Sequence, residues 1–209
     1  MKILVIGTGN MGSAFVQQLT RAGHQVSVTG RDSAKAAQVA SRHGARALPV
    51  QGAASGNEIV ILATGYAQAA DALRAATPDA GQIVVDITNP LTADYMGLTI
   101  GHTTSAAEEI ARAVPNVRLV KAFNTVFAQL LAAGPDLGAG RRVTTFLAGD
   151  DVPAKEAVTA MARSMGFEVI DTGTLKNARY LEPLAGLNIY LGYGAGLGTG
   201  IAPTWVRKD

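Results

Sequence analysis

The chain has 209 residues, which corresponds to one large domain or to a domain with a small appendage. Only 16% of the residues are charged and the net charge is +2, which excludes a disordered chain and a basic track for nucleic acid. The absence of cysteine excludes disulfides, thiol catalysis and thiolate metal sites. The first apolar run is too short for a secretory signal, so we expect a cytoplasmic protein. We also expect no bound metal.

Short β-branched runs alternate with alanine-rich segments of helical periodicity. The runs predict strands at 2–6, 25–29, 58–64, 82–87, 118–123, 143–149 and 167–171. The alanine-rich segments predict helices at 11–22, 33–43, 67–76 and 153–165, and Ser33 is a candidate N-cap for the second helix. Alternating strands and helices imply right-handed crossovers, so we predict an α/β fold with a Rossmann-type, doubly wound parallel sheet.

The pattern changes near the C-terminus. A predicted helix at 175–190 is followed by a glycine-rich tail, and a segment of roughly 40 residues is too short to fold alone. We therefore divide the chain into a main domain, residues 1–172, and a small C-terminal helical subdomain, residues 173–209.

The C-terminal tail raises the question of a membrane. Residues 183–206 contain no charge, and Gly192, Gly196 and Gly200 have the spacing that lets membrane helices pack closely. Each glycine in a helix would cost about 1 kcal/mol relative to alanine, so a loop close to a ligand or another backbone is the favoured interpretation. We expect no membrane contact, and the lack of charge favours a homodimer.

Residues 7–12 have the spacing G-x-G-x-x-G, directly after the first predicted strand and at the start of the first helix. In a dinucleotide fold Gly7 permits the tight turn, Gly9 lets the backbone approach a pyrophosphate, and Gly12 lets the helix pack on the strand. The pyrophosphate would lie at the helix N-terminus. A purely structural turn is the alternative.

Arg31 and Lys35 indicate which dinucleotide is bound. Arg31 lies at the end of the second strand, where the 2′ position of the ribose is read. Lys35 is four residues further on and shares a helix face with it, so the two cations suit a 2′-phosphate dianion. Gly30 leaves room for that phosphate, and Asp32 fits the helix N-terminus. We predict NADP(H); a solvated helix start is the alternative.

Polar residues after two central strands are candidates for the reaction site. Asn89 and Asn124 are placed to hold the carboxamide of a nicotinamide or the pyrimidine edge of a flavin, and satisfied turns are the alternative. Hydride transfer needs no strong base, so we assign no catalytic residue outright and keep His102 and Asn124 as candidates. Lys121 fits either a pocket or a solvent-facing position.

Stretches along nearly the whole chain resemble the F420-dependent NADP oxidoreductase family and the cytosolic oxidoreductase domain of six-transmembrane metalloreductases. The matching stretches are 6–15, 29–35, 86–91, 105–111, 120–128, 148–158 and 165–185. The resemblance implies an oxidoreductase in which NADP(H) meets a small-molecule redox acceptor, either coenzyme F420, FAD or FMN. It also implies that residues 173–209 complete the acceptor site or a dimer interface. The residues expected to hold NADP(H) and its acceptor are Gly7, Thr8, Gly9, Asn10, Met11, Gly12, Thr29, Gly30, Arg31, Lys35, Ala63, Thr64, Gly65, Tyr66, Asn89 and Asn124.

The sequence departs from the archaeal enzymes of the F420-dependent family at two positions. The archaeal F420 enzymes carry proline where Gly65 stands and histidine where Asn124 stands, whereas residues 122–125 resemble the metalloreductases. FAD or FMN therefore stays open as acceptor, as does a ferric or flavin reductase that uses no F420. A non-catalytic NADPH sensor is a further alternative. Pyrroline-carboxylate reductases and β-hydroxyacid dehydrogenases share the glycine motif, but too few residues follow Asp171 for their helical domain.

Overall fold

One eight-stranded sheet forms the centre of the protein, in the order β3-β2-β1-β4-β5-β6-β7-β8. The computed structural model describes residues 1–205 and 208. The strands are β1 (Lys2–Ile6), β2 (Gln25–Thr29), β3 (Arg46–Ala47), β4 (Ile59–Leu62), β5 (Ile83–Asp86), β6 (Arg118–Lys121), β7 (Thr144–Gly149) and β8 (Glu168–Asp171). Neighbouring strands are parallel except β6 and β7.

Helices follow most of the strands. They are α1 (Asn10–Arg21), α2 (Ser33–His43), α3 (Tyr66–Ala75), α4 (Ala106–Ala113), α5 (Ala128–Ala133), α6 (Val152–Ser164) and α7 (Ala178–Ile189). A 3-10 turn, Leu175–Asn177, precedes α7, and a π-helical turn, Tyr190–Gly194, continues it.

Two apolar cores lie on opposite faces of the sheet, because successive side chains of a strand alternate. Ile3 and Val5 of β1 face the core that α1, α2, α5 and α6 cover. Leu4 and Ile6 face the other core, which α3 and α4 cover. Strands buried on both faces read as continuous apolar runs, which explains why the sequence pattern located them.

The predicted Rossmann-type α/β fold is confirmed, with a mostly parallel sheet. The exceptions are β7 and β8, which are parallel to each other and run opposite to the other strands. Strand β7 joins β6 through two residue pairs, Val120 with Gly149 and Lys121 with Ala148. The segment between these strands, residues 122–143, contains the six-residue α5. The pattern also missed α4, α5 and the two-residue β3.

The C-terminal helix is confirmed, but helical backbone extends into the predicted glycine-rich loop as far as Gly194. Gly192 lies against the ring of Phe127, where an added Cβ would come within 2.6 Å of the ring. This glycine therefore serves close packing of the helical turn. Among residues 1–205 and 208, no helix is long and apolar enough to span a bilayer.

Candidate functional site

A cleft of about 560 Å³ lies at the carboxyl ends of β1, β2 and β4. Strand β2 lies on one side of β1 and β4 on the other, so the chain reverses its direction across the sheet between β1 and β4. Such a reversal opens the crevice where open α/β sheets bind ligands. The predicted NADP(H)-binding residues that the cleft brings together are Gly7, Thr8, Gly9, Gly30, Arg31, Lys35, Ala63, Thr64 and Gly65.

The three glycines after β1 have different surroundings. Gly7 has φ +132°, and a Cβ there would lie 2.1 Å from the Ala63 carbonyl oxygen. A Cβ on Gly12 would lie 2.0 Å from the Gly7 carbonyl oxygen, so Gly7 and Gly12 are required by close backbone packing. A Cβ on Gly9 would meet no atom within 4 Å. The backbone of Gly9 therefore borders open space, as the approach of a ligand requires.

The N-terminus of α1 has neither a side-chain cap nor an acidic residue in its first turn. Its N-cap, Gly9, has no side chain, and no acidic residue occupies the first turn. The N–H of Ser13 donates to the Gly9 carbonyl at 2.9 Å, so the N–H groups of Asn10, Met11 and Gly12 precede the first helical hydrogen bond. An uncapped helix start of this kind suits an anionic ligand.

Arg31 and Lys35 both line the cleft, and both side chains are exposed. Within the described part of the chain, neither forms an ion pair with a carboxylate. The carboxylate of Asp32 accepts from the backbone N–H of Lys35 at 3.0 Å and is the N-cap of α2. The expectation of Ser33 as N-cap was therefore wrong, because Ser33 is the first helical residue. Both cations therefore border the cleft without a carboxylate partner among the described residues.

Two of the predicted residues near the end of β2 serve the protein's own packing. The side chain of Thr29 is fully buried and its hydroxyl donates to the Leu48 carbonyl at 2.9 Å. A Cβ on Gly30 would lie 3.0 Å from the methyl of Thr8, so the missing side chain at Gly30 leaves room for Thr8 at the edge of the cleft.

Tyr66 lies at the start of α3 and contacts the neighbouring helix. Its hydroxyl donates to the Glu109 carboxylate on α4. Burial, together with this hydrogen bond and the negative charge, raises the pKa of Tyr66 to about 12. The hydroxyl is thus engaged between helices rather than among the residues that line the cleft.

Asn89 and Asn124 meet directly beyond β5 and β6. The Asn124 amide donates to Oδ1 of Asn89 at 3.0 Å and to the Leu181 carbonyl on α7 at 2.8 Å. The Asn89 amide donates to the Asn124 carbonyl at 2.8 Å. These hydrogen bonds join the turn after β5 to the turn after β6, and the bond to Leu181 connects the second turn to α7.

A row of buried polar atoms without hydrogen-bond partners follows the carboxyl ends of β4, β5 and β6. Among the residues that the structure describes, they are the hydroxyls of Thr64, Thr88 and Thr125 and Oδ1 of Asn124. Leaving such an atom unsatisfied costs about 1–3 kcal/mol, and native proteins rarely do so. Of these four residues Thr64 lines the cleft, and we call the row that they form the polar rim.

A buried charge cluster lies beneath the polar rim. The ammonium group of Lys121 is 2.9 Å from the Asp86 carboxylate and 2.8 Å from the Glu182 carboxylate, and all three side chains are at most 1% exposed. Lys121 also donates to the Thr88 carbonyl. Burial alone would lower the pKa of Lys121, but the two carboxylates outweigh it and hold the pKa above its usual value.

Glu182 has a second role in this cluster. Its carboxylate accepts from the backbone N–H groups of Ala106 and Ala107 at 2.8 and 3.1 Å, at the N-terminus of α4. Sequence reasoning left Lys121 open and did not identify Glu182. At the start of α4 the sequence has one local signal: Ser105 is followed three residues later by Glu108, the spacing of a capping box. The Ser105 hydroxyl accepts from the Glu108 N–H. This signal indicates the start of the helix but not the contact with Glu182.

His102 lies apart from the cleft. It borders a different cavity, of about 330 Å³, together with Lys176, Arg179 and Tyr180 from the 3-10 turn and α7. His102 therefore lies in a cavity that Asn124 does not line.

Comparison with known proteins shows to which family this chain belongs. Residues 2–90 match the family model described as NADP oxidoreductase, coenzyme F420-dependent. The F420-dependent NADP reductase of Methanothermobacter marburgensis is 30% identical over 210 aligned positions, covering 91% of this chain and 92% of that protein. The chain belongs to the F420-dependent NADP oxidoreductase family.

A solved structure agrees with this membership. A protein of Arthrobacter sp. FB24, provisionally described as an F420-dependent NADP-reductase, has a TM-score of 0.89 and 33% identity over 99% of this chain and 100% of its own. The metalloreductase STEAP3 of Rattus norvegicus is 32% identical over 88% of this chain. The match covers only 36% of that metalloreductase. Family membership means that this chain belongs to a group of NADP-dependent oxidoreductases.

Proposed function

We propose that this protein transfers hydride between NADP(H) and a flavin-type acceptor, either coenzyme F420, FAD or FMN. The observation that carries the proposal is the continuity of two features along one edge of the sheet. The cleft offers an uncapped helix start and two cations that form no ion pair within the described residues, and the polar rim continues across the next two strands. A dinucleotide that bridges two such features has its phosphates at one end and its reactive ring at the other.

The protein's part in holding NADP(H) follows from these contacts. The N–H groups at the start of α1 bind the pyrophosphate, and the open side of Gly9 lets it approach. Arg31 and Lys35 bind the 2′-phosphate with charge-assisted hydrogen bonds. NADPH supplies the hydride itself, so the chain has to orient the ring and needs no strong base.

The polar rim is the proposed place of the nicotinamide and of the acceptor edge. Its unsatisfied hydroxyls and Asn124 Oδ1 suit the amide groups of a carboxamide or a pyrimidine edge. The C-terminal segment supports this edge, because the Asn188 amide donates to the Thr125 carbonyl at 3.0 Å and Asn124 donates to Leu181. We therefore propose that residues 173–209 complete the acceptor site.

A second candidate function is a flavin or ferric reductase that uses no F420. It is favoured by the 32% identity to the metalloreductase STEAP3 and by Asn124, which stands where the archaeal F420 enzymes carry histidine. The chain corresponds to about a third of the metalloreductases, 36% of STEAP3 and 35% of STEAP2 of Homo sapiens.

Anaerobic mixing with each acceptor tests the proposal. We expect NADPH absorbance to fall when the protein is mixed with at least one of F420, FAD and FMN. Turnover with F420, with or without the flavins, supports the first candidate with F420 as an acceptor, and turnover with FAD or FMN but not F420 supports the second. Tight NADPH binding with no oxidation by any of the three contradicts hydride transfer to a flavin-type acceptor and favours an NADPH sensor.

Thr125→Val tests whether the rim hydroxyls interact with a ligand. The Thr125 hydroxyl has no hydrogen-bond partner among the residues that the structure describes, so its removal is expected to leave the free energy of unfolding unchanged or raise it. The kcat/KM for the acceptor that is turned over is expected to fall about 3- to 10-fold, the value of one hydrogen bond. Urea unfolding and steady-state kinetics measure the two effects.

Thr20→Val is the matched control. The hydroxyl of Thr20 is also buried with no hydrogen-bond partner in the described part of the chain, but it lies in α1 rather than on the rim. Unfolding free energy is expected to respond as in Thr125→Val, with kcat/KM unchanged. Equal kinetic effects of the two substitutions would contradict the assignment of the rim.

A further inference from the structure

Two members of the buried charge cluster hold the backbone of Thr88 from opposite sides. The N–H of Thr88 donates to the Asp86 carboxylate at 2.8 Å. The carbonyl of Thr88 accepts from the ammonium group of Lys121, which also donates to Asp86 at 2.9 Å. Hydrogen bonds to ionised groups are roughly twice as strong as those between neutral groups. Both polar groups of the Thr88 backbone are therefore fixed by buried charges.

The hydroxyl of Thr88 takes no part in these bonds. Thr88 is only 3% exposed, and its hydroxyl has no hydrogen-bond partner among the residues that the structure describes. An ammonium group has three donors, and those of Lys121 are taken by Asp86, Glu182 and the Thr88 carbonyl. Lys121 therefore has no donor left for the hydroxyl. A buried hydroxyl on a fixed backbone is preorganised to bind a ligand.

Glu182 connects this arrangement to the C-terminal helix. Its carboxylate lies 2.8 Å from the Lys121 ammonium group and also accepts from the first N–H groups of α4. Burying three charges is costly, and apolar residues of similar volume often give a core of equal or greater stability. Stability alone therefore gives no reason for this cluster. The position that it gives to the turn after β5 does.

The place of Thr88 along the sheet indicates which part of a dinucleotide it meets. Thr88 follows β5, and only β4 lies between β5 and β1. Two strand spacings amount to about 10 Å. A ribose and its nicotinamide ring extend over a comparable distance from a pyrophosphate at the start of α1. The carboxamide of that ring has a donor and an acceptor, and a threonine hydroxyl can pair with either.

We propose that Thr88 binds the carboxamide of the nicotinamide ring and that Asp86, Lys121 and Glu182 position it for this contact. The inference rests on the proposed function, because it takes NADP(H) as the ligand. Thr88 makes the contact, and the three charged residues act through it as positioning residues. Such an arrangement orients the ring without placing a charged side chain against it, which suits a transfer that depends on orientation.

Titration calorimetry with NADPH and with 2′-phospho-ADP-ribose, the same nucleotide without its nicotinamide, tests the contact. Thr88→Val is expected to weaken NADPH binding about 3- to 10-fold, the value of one hydrogen bond, and to leave the affinity for 2′-phospho-ADP-ribose unchanged. Thr20→Val is the matched control, because its buried hydroxyl also lacks a partner in the described part of the chain but lies in α1. It is expected to change neither affinity.

A double-mutant cycle tests the positioning role. Lys121→Met is expected to weaken NADPH but not 2′-phospho-ADP-ribose, and to cause no further loss once Thr88→Val is present. Lys155→Met is the control, since the carboxylate partner of Lys155 is the exposed Asp171, and it is expected to change neither affinity. Circular dichroism verifies folding. If Lys121→Met does not fold, Lys121→Met combined with Asp86→Asn replaces it in the cycle.

Three results would overturn the inference while leaving the proposed function intact. They are equal binding of the two ligands by the wild type, an NADPH affinity that Thr88→Val does not change, and equal weakening of both ligands by Thr88→Val. Additive losses of NADPH affinity in the cycle would overturn the positioning role of Lys121. A wild type that binds neither ligand would contradict the proposed function as well.

Discussion

Lys121→Met is expected to lower the free energy of unfolding by about 3–5 kcal/mol, because it leaves the Asp86 and Glu182 carboxylates buried without their cation. In a chain of this size such a loss lowers Tm by roughly 10 °C or more. The cluster joins β5, β6 and α7, and Lys121 also holds the Thr88 carbonyl below the polar rim. Urea unfolding and a thermal melt measure the effect.

Two further variants distinguish a buried charge from a lost contact. Adding Asp86→Asn to Lys121→Met is expected to restore part of the stability, because Glu182 keeps its hydrogen bonds at the N-terminus of α4. Lys155→Met removes a lysine whose partner, Asp171, is 54% exposed, and is expected to cost no more than about 1 kcal/mol. Equal losses for Lys121→Met and Lys155→Met would contradict the buried cluster.

The pH dependence of the wild type follows from the raised pKa of Lys121. A lysine whose pKa is higher in the folded than in the unfolded state stabilises the fold fully below the unfolded value, 10.5. This contribution is lost only as the pH rises through the higher folded value. Stability from this cluster is therefore expected to be constant across neutral pH and to fall only in strong alkali.

Arg31→Ala is expected to weaken NADPH binding by about 1.5–3 kcal/mol, which is roughly 10- to 150-fold, through loss of a charged hydrogen bond to the 2′-phosphate. NADH lacks that phosphate, so its affinity is expected to stay unchanged. Fluorescence titration with each nucleotide measures both. Because Arg31 is exposed and forms no ion pair within the described residues, the substitution is expected to leave stability intact.

Arg163→Ala provides the comparison for this measurement. Arg163 is also an exposed arginine, but it lies on α6 and does not line the cleft. It is expected to change neither NADPH nor NADH affinity. If Arg31→Ala weakened both nucleotides equally, the 2′-phosphate would lie elsewhere.

Most of the fold was predictable because its signals are local. The glycine spacing at 7–12 and the apolar strands needed only neighbouring residues, and the residues found at the cleft come from three short turns that follow strands. The local patterns did not predict the direction of every side chain. Thr29 belongs to a matching stretch, but the alternation of β2 turns its side chain into the protein, where Leu48 accepts its hydrogen bond.

The buried cluster was not predictable in the same way. Asp86, Lys121 and Glu182 are separated by tens of residues, and only the order of the strands and the docking of α7 bring them together. An isolated lysine between apolar neighbours gives no indication of its partners. Strands β7 and β8 were predicted, but their reversed direction was not, since strand direction depends on the path of the connection rather than on the strand's own residues.

Titration of the wild-type protein with NADPH and with NADH tests most directly the claim that the glycine-lined cleft holds a dinucleotide by its extra phosphate. Saturable binding of NADPH, at least about tenfold tighter than that of NADH, is the predicted result. Absence of binding by either nucleotide, or equal affinity for both, would contradict it.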